Sequence, residues 1–311
     1  MIRRRVLVDE LFPLEDVRDA LDGACVEVEA PPRPWAGDDV VGLLVWEPVS
    51  EEDFRRLPGV RVVATCSVGY DHVDLDAARR RGVWVCNVPD YCVDEMADST
   101  VALLLALLRG TVALDRSVRR GEWDDHAAGT LRRVTGTRLG IVGFGRIGRA
   151  VAARAAGLGF EVFAHDPFVP DRDVEATGVR PAALDELLRS CAALTLHLPF
   201  TAETDGLIGA RELALMPPGS YLVNTARARL LDWEAFLDAL RNGHLAGAAV
   251  DVLPTEPPTA EQPAPELPNL IVTPHAAWYS SESERDVYRR AALAVRAVLE
   301  GRVPENAVVA P

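Results

Sequence analysis

Residues 137–166, TRLGIVGFGRIGRAVAARAAGLGFEVFAHD, restrict what this chain can fold into more than any other stretch. The apolar run at 139–142 has the character of a buried parallel strand, which shows no polar alternation because both of its faces are covered. Gly143, Gly145 and Gly148 follow with the spacing G-x-G-x-x-G. The first glycine permits a tight turn off the strand. The second lets the backbone approach an anion closely, and the third lets the next helix pack against the strand. That helix, about 146–156, would aim its unpaired N–H groups and partial positive charge at the anion. A second strand, FEVFAH, ends in Asp166, whose carboxylate suits the hydroxyls of an adenosine ribose and repels a 2′-phosphate. A glycine pattern on its own is more often an ordinary turn than a site. Strand, glycines, helix, strand and acid in this order predict a dinucleotide site, for NAD rather than NADP.

At 311 residues the chain is long enough for two domains, each with its own core. A net charge of −14 argues against nucleic acid or an anionic membrane as a partner, since both call for a basic face. Small anions are still admissible, because one cationic pocket suffices. The five cysteines have no C-x-x-C spacing, so neither a disulfide framework nor a metal site is expected. Cys25, Cys66, Cys86 and Cys191 lie in or beside apolar runs and read as core thiols, whereas Cys92 reads as a loop residue. A reducing cytoplasm follows as the expected compartment. The basic start MIRRRVLVDELF meets Asp9 and Glu10 before any signal-peptide core can form. VALLLALL at 101–108 is too short to span a bilayer and reads as a buried helix.

Before the glycine stretch, short runs rich in Val, Leu and Cys at 5–9, 25–29, 41–46, 60–66 and 83–86 alternate with helical segments. This alternation predicts a parallel sheet with helices on both faces. Residues 94–123 carry the longest helical pattern. After the fingerprint, strands are expected at 193–198, 220–225, 246–252 and 270–274, with helices at 182–190, 205–215 and 232–242. With the two fingerprint strands they complete a six-stranded nucleotide sheet. The proline-rich 254–268 is a surface excursion. A last amphipathic helix at 282–300 follows a sheet that is already complete, so it should return to the first unit. The expected division is 1–97 plus 278–311 for one domain and 98–277 for the other.

In an open α/β sheet, ligands sit at the carboxyl ends of the strands. Arg227, Asp251, Glu256 and His275 all fall at or just beyond such ends. Singly, an Arg after a strand makes a surface ion pair and a Glu beside prolines is solvated. It is their shared placement downstream of the fingerprint that points to chemistry. The motifs GIVGFGRIG…HDP, LVNTAR…LLD, GAAVDV…TEPP and NLIVTPHAAW resemble the D-isomer-specific 2-hydroxyacid dehydrogenases. The resemblance runs from about residue 66 to residue 309. Within that family, CNVPDYCVDEMADST and TPHAAWYSSE are most similar to the C-terminal-binding-protein branch and its bacterial enzyme relatives.

The resemblance implies two doubly wound parallel-sheet domains, a Rossmann NAD-binding domain inserted in a flavodoxin-like substrate domain. It implies an NAD-dependent 2-oxoacid reductase that pairs as a homodimer through the 101–108 helix and acts on a small 2-oxo or 2-hydroxy acid. Arg227 would hold the substrate carboxylate and polarise the 2-oxo group. His275 would be the acid/base and Glu256 its partner. Backbone N–H groups at Val68 and Gly69 would help to hold the carboxylate, and Trp278 would wall the pocket. Cofactor contacts would come from Phe144, Arg146 and Ile147 between the glycines, and from His197, Leu198, Pro199, Thr204, Thr225, Ala226 and Asp251. Trp46, Glu47 and Tyr91 do not name the substrate.

Two departures stand out: Ala228 replaces the glycine that usually follows the family's arginine, and Arg229 stands where a small or acidic residue is usual. Alanine at 228 would be strained if that position needed a positive φ. Arg229 is either solvated or supplies positive charge for a second anionic group. An NAD-sensing scaffold that acts through partner proteins is the reading from another class, although no extra tail or low-complexity segment supports recruitment.

Overall fold

The computed structural model of the protein describes residues 4–10 and 12–311, so Leu11 and the first three residues of the basic start lie outside the described residues. The chain divides into two compact units. One comprises residues up to Tyr91 together with Ser280–Pro311, the other Cys92–Tyr279.

The first unit begins with β1 (Arg5–Val8), α1 (Leu14–Ala20), β2 (Glu27–Glu29), β3 (Val40–Val45), α2 (Glu51–Arg56), β4 (Val62–Thr65), α3 (Leu75–Arg81) and β5 (Trp84–Cys86). β3 and β4 are buried along their whole length, as strands covered on both faces must be. Local chemistry sets the helix ends. Ser50 and Asp53 form a capping box at α2, the Asp74 carboxylate caps α3, and Gly82 closes α3 in the left-handed conformation (φ 64°).

The second unit continues with α4 (Val93–Leu108), α5 (Thr111–Arg119), β6 (Arg138–Val142), α6 (Arg146–Gly157), β7 (Glu161–His165), α7 (Asp171–Glu175), β8 (Arg180–Pro181), α8 (Leu184–Ser190), β9 (Ala193–Leu196), α9 (Ala210–Leu215), β10 (Ser220–Asn224), α10 (Trp233–Arg241), β11 (Leu245–Val250) and β12 (Leu270–Val272). Its sheet has the order β12-β11-β10-β9-β6-β7-β8, with every pairing parallel. The order reverses between β6 and β9. A doubly wound sheet opens its ligand crevice at that reversal. α4 packs on α6 and on β10 and β11, with Ala97, Val101, Leu104 and Leu108 buried.

The chain then returns to the first unit through α11 (Ser281–Leu299) and β13 (Ala307–Val309). α11 buries Val287, Ala291, Val295 and Val298, one stripe at helical spacing, against β3 and β4. The first unit's sheet therefore reads β13-β5-β4-β3-β1-β2, parallel except for β13, which pairs antiparallel with β5.

Several sequence expectations are corrected. The single helix expected over 94–123 is two, bent by 61°. Gly110 makes the break, with φ 62°, and a Cβ there would stand 2.4 Å from that of Ala128. The nucleotide sheet has a seventh strand, the two-residue β8 at its edge. Such a short strand leaves almost no pattern to read. The two compact units divide at 91/92 and 279/280, with α4 wholly in the second and Ser280 capping α11. The cysteine reading is reversed at two positions. Cys92 is buried at the start of α4, and Cys25 is exposed just before β2 at φ 54°. All five cysteines are free thiols, and no single helix among the described residues is long and apolar enough to cross a membrane.

Candidate active site

The three glycines have distinct physical roles. Gly143 has φ 92°, and a Cβ on it would lie 2.5 Å from the His197 carbonyl oxygen, so the turn off β6 and its contact with the chain after β9 both exclude a side chain. A Cβ on Gly148 would lie 2.2 Å from the Gly143 carbonyl oxygen, which is the close packing of α6 against the turn. At Gly145 a Cβ would meet nothing within 4 Å. No protein atom calls for glycine there. What it leaves is bare backbone at the N-terminus of α6, with the partial charge that suits a pyrophosphate.

Asp166 sits just beyond β7. Its carboxylate accepts from the Phe144 amide (2.8 Å) and the Phe168 amide (2.9 Å), which fixes it beside the glycine turn. Two oxygens offer about four acceptor sites, so it can still take a ribose hydroxyl. Phe144 is fully buried with Arg149 stacked on its ring, while Arg146 and Ile147 form the first turn of α6. His197 follows β9, and its ring bonds the Thr195 hydroxyl (2.9 Å). Desolvation pushes its imidazole down to about 3, which favours the neutral ring. Leu198 and Pro199 lead into a turn in which the Thr204 hydroxyl donates to the Pro199 carbonyl (2.9 Å).

Arg227 follows β10 and is half-buried. Asn224 holds its turn at both ends, donating to the Arg227 carbonyl (2.8 Å) and accepting from the Ala226 amide (3.0 Å). Ala228 opens a one-turn 3-10 helix with Arg229 and Leu230, and its φ is not positive. The absent glycine therefore costs the backbone nothing. The neighbouring Thr225 is buried, with its hydroxyl bonded to that of Thr100 on α4 (3.0 Å).

His275 lies on the turn after β12 with φ 53°, a strained conformation of the kind that collects at functional sites. Asp251, at the end of β11 and 1% exposed, holds that turn. One of its carboxylate oxygens accepts from the Thr273 hydroxyl (2.5 Å) and the Ala276 amide (2.9 Å), and the other from the Ala277 amide (2.9 Å). Its carbonyl accepts from the His275 amide (2.9 Å). Asp251 is thus turned toward its own loop, a role that residue spacing does not disclose. The His275 ring places Nδ1 2.6 Å from Glu256 Oε2, and the other Glu256 oxygen accepts from the Leu253 amide (2.6 Å). Burial by itself raises the Glu256 carboxyl. The hydrogen bond and charge of His275, the Leu253 amide and nearby Arg227 outweigh it and hold the group below the usual carboxylate range. Trp278 donates from its indole to the His275 carbonyl (2.9 Å).

In the first unit, Val68 and Gly69 follow β4, where Asn87 donates to the Val68 carbonyl (2.6 Å) and Ser67 to the Gly69 carbonyl (2.6 Å). Asp9, which sequence reasoning passed over, ends β1 and accepts from the Trp46 and Glu47 amides (2.7 and 3.1 Å) while pairing with Arg33.

A reversal-point crevice, a glycine turn with an acid fixed beside it, and an imidazole backed by a carboxylate are the parts of a nicotinamide-linked oxidoreductase. Residues 101–277 match the NAD-binding domain of the D-isomer-specific 2-hydroxyacid dehydrogenases. The glyoxylate reductase of Korarchaeum cryptofilum is 38% identical over 274 residues, 87% of this chain and 82% of that protein. The glyoxylate reductase of Thermococcus litoralis is 35% identical over 276 residues, 87% of this chain and 83% of that protein. The crystal structure of Aquifex aeolicus D-lactate dehydrogenase, complexed with NAD and lactic acid, superposes with a TM-score of 0.87 at 28% identity, covering 98% of this chain and 99% of that one. The chain belongs to the D-isomer-specific 2-hydroxyacid dehydrogenase family. It is an NAD-dependent oxidoreductase acting on 2-hydroxy acids and their 2-oxo counterparts.

The glycines separate cofactor binding from folding. Gly148→Ala should lower the melting temperature, since overpacking at a rigid carbonyl costs about 1–3 kcal/mol. Gly145→Ala should melt like the wild type yet bind NADH more weakly. Paired thermal melts and NADH titrations measure both, and equal NADH affinity in Gly145→Ala would remove the pyrophosphate role from that glycine.

Proposed function

We propose that the protein works as a 2-oxoacid reductase in which His275 is the acid, Glu256 its partner and Arg227 the holder of the substrate. The observation that carries this reading is the 2.6 Å His275–Glu256 pair with Arg227 near enough for its charge to act on the same carboxylate. With Nδ1 directed at Glu256, the imidazolium presents its Nε2 proton to the substrate oxygen. Arg227 grips the carboxylate with its planar fork and draws electron density from the 2-oxo group. Bound NADH supplies the hydride that reaches C2. As charge grows on the oxygen, His275 neutralises it by giving up the Nε2 proton, and in the reverse direction it takes that proton back. Glyoxylate is the first 2-oxo acid to test, since the two curated relatives described above carry that name.

Asp166 carries the choice of NAD over NADP. Asp166→Ala should weaken NADH binding by about tenfold or more, the loss of hydrogen bonds to a charged group, and narrow the preference over NADPH. A wild type that uses NADPH better than NADH would contradict this.

His275→Ala should lower kcat for reduction by about two to four orders of magnitude with little change in NADH affinity. Glu256→Gln should be milder and should move the pH profile. The hydrogen bond and charge of His275 hold the Glu256 carboxyl below the usual range, so the carboxylate and an imidazolium stabilise each other. Without that charge the protonated acid is lost at lower pH, so the upper limit of reduction should move downward. Near-full turnover in His275→Ala, or a profile displaced upward in Glu256→Gln, would sink the assignment. Steady NADH oxidation by the wild type also separates the enzyme from a purely NAD-sensing scaffold.

We further propose a homodimer joined through the second unit and a cytoplasmic setting. Trp123, in the loop after α5, is 93% exposed, and a groove of mixed polarity on the same unit is lined by Leu107, Val112, Tyr221, Asn269 and Ile271. An indole left almost wholly in solvent is the kind of feature that a second copy covers. Five free thiols suit a reducing compartment. Light scattering at micromolar concentration should give twice the chain mass, and a monomer there would refute the dimer.

A further inference from the structure

We propose that Arg229 is a positioning residue, a latch that fastens the 197–208 loop to the turn carrying Arg227 and so couples cofactor holding to the seating of the substrate arginine. The inference rests on the NAD reading of this site and assigns a role to the one departure from the family pattern that the reaction leaves unused.

The loop begins at the sheet reversal. His197 donates its amide to the Val142 carbonyl (2.7 Å), and its own carbonyl is the atom that forbids a side chain on Gly143. The loop's first residues thus lie directly against the glycine turn. Thr204 rounds the loop by accepting from the Thr201 amide (2.7 Å) and donating to the Pro199 carbonyl. From the other side, the Arg229 guanidinium lies 4.2 Å over the Phe200 ring and donates to Asp205 Oδ2 (2.5 Å). One planar group therefore grips the loop at two points. A guanidinium can stack and donate at once, which an ammonium cannot do as well.

Backbone bonds continue the lacing. The Arg229 carbonyl accepts from the Gly206 amide (2.8 Å), the Leu230 carbonyl from Ile208 (3.0 Å), and the Ile208 carbonyl from Asp232 (3.1 Å). The same turn is tied to Arg227, whose carbonyl accepts from Leu230 (3.2 Å) and from the Asn224 side chain (2.8 Å). Movement of the loop is therefore transmitted to Arg227 through a single 3-10 turn. An exposed ion pair alone contributes little. The stack on Phe200 and the backbone bonds are what make the contact directional. The Asp205 carboxylate also balances the Arg229 charge, so Arg229 is poorly placed to attract a second anionic group of a substrate.

The test uses the full chain with Arg229→Ala, Arg229→Lys, Phe200→Leu and the double variant Arg229→Ala/Phe200→Leu. NADH affinity is read by fluorescence titration, and kcat and KM are measured with glyoxylate and with 2-oxoglutarate. Arg229→Ala should raise the NADH Kd by about threefold to tenfold, the size expected for one exposed stack with an ion pair. The KM for both substrates should rise in step, with kcat changed less than KM. Arg229→Lys should restore part of the loss. The double variant should be no worse than Arg229→Ala, because both substitutions break one contact. A lower melting temperature with unchanged NADH Kd would reduce Arg229 to a structural residue and overturn the latch. So would additive losses in the double variant, or a KM rise confined to 2-oxoglutarate. If Arg229→Ala does not fold, Arg229→Lys and Phe200→Leu carry the same comparison. A wild type that binds no NADH would overturn the functional reading and the latch together, whereas normal wild-type binding with no variant effect would overturn the latch alone.

Discussion

Everything at the nucleotide end of this protein is arranged around the space that Gly143 does not fill. Its amide donates to the His165 carbonyl at the end of β7, and the next amide, Phe144, donates to Asp166. Its missing side chain admits the His197 carbonyl from β9, and its own carbonyl admits Gly148 of α6. Four elements meet at one residue, at a φ of 92° that side chains rarely adopt. Sheet order, helix packing and the seat of Asp166 thus share a single steric condition. The crevice opens where they meet because strand connections run off in opposite directions on either side of β6.

At the reacting end the constraint is electrostatic. Asp251 is almost completely buried, and a buried carboxylate is tolerable only if its oxygens are satisfied. Donors at 273, 276 and 277 satisfy it, and they bracket His275 in sequence. Hydrogen bonds to an ionised acceptor are the strong ones, so they can hold the histidine at a φ that would otherwise relax. Glu256 then orients the ring from a separate loop. The imidazole is fixed through its backbone by one acid and through Nδ1 by another.

The segments that a cofactor and a substrate would need are also fastened to one another within the second unit. The 3-10 turn after β10 carries Arg227 at its start and Arg229 in its middle, and its carbonyls accept amides from the loop that leaves the crevice. Ala228 fits this turn with ordinary backbone angles, and its side chain is buried. A glycine would be freer in the unfolded chain and would order this turn less firmly.

The placement of the candidate residues was legible in the sequence because it depends on spacing along the chain. The glycine spacing, the acid closing the second strand, and the positions of Arg227, Glu256 and His275 beyond strand ends are all local facts, because strand ends place side chains at one rim of a parallel sheet. The alternation of strands and helices likewise announced two α/β units. Tertiary structure alone decided what depends on neighbours distant in sequence. Gly110 broke a continuous helical pattern because Ala128 occupies the space its side chain would need. β13 joined β5 antiparallel at an edge that no periodicity marks, and Cys92 became buried while Cys25 did not. Asp251 and Thr225 found hydrogen-bond partners at 273–277 and at Thr100, which no spacing along the chain announces. Periodicity records which face of an element is apolar. It does not record which distant donor or carbonyl will meet a given side chain, and that depends on packing between elements.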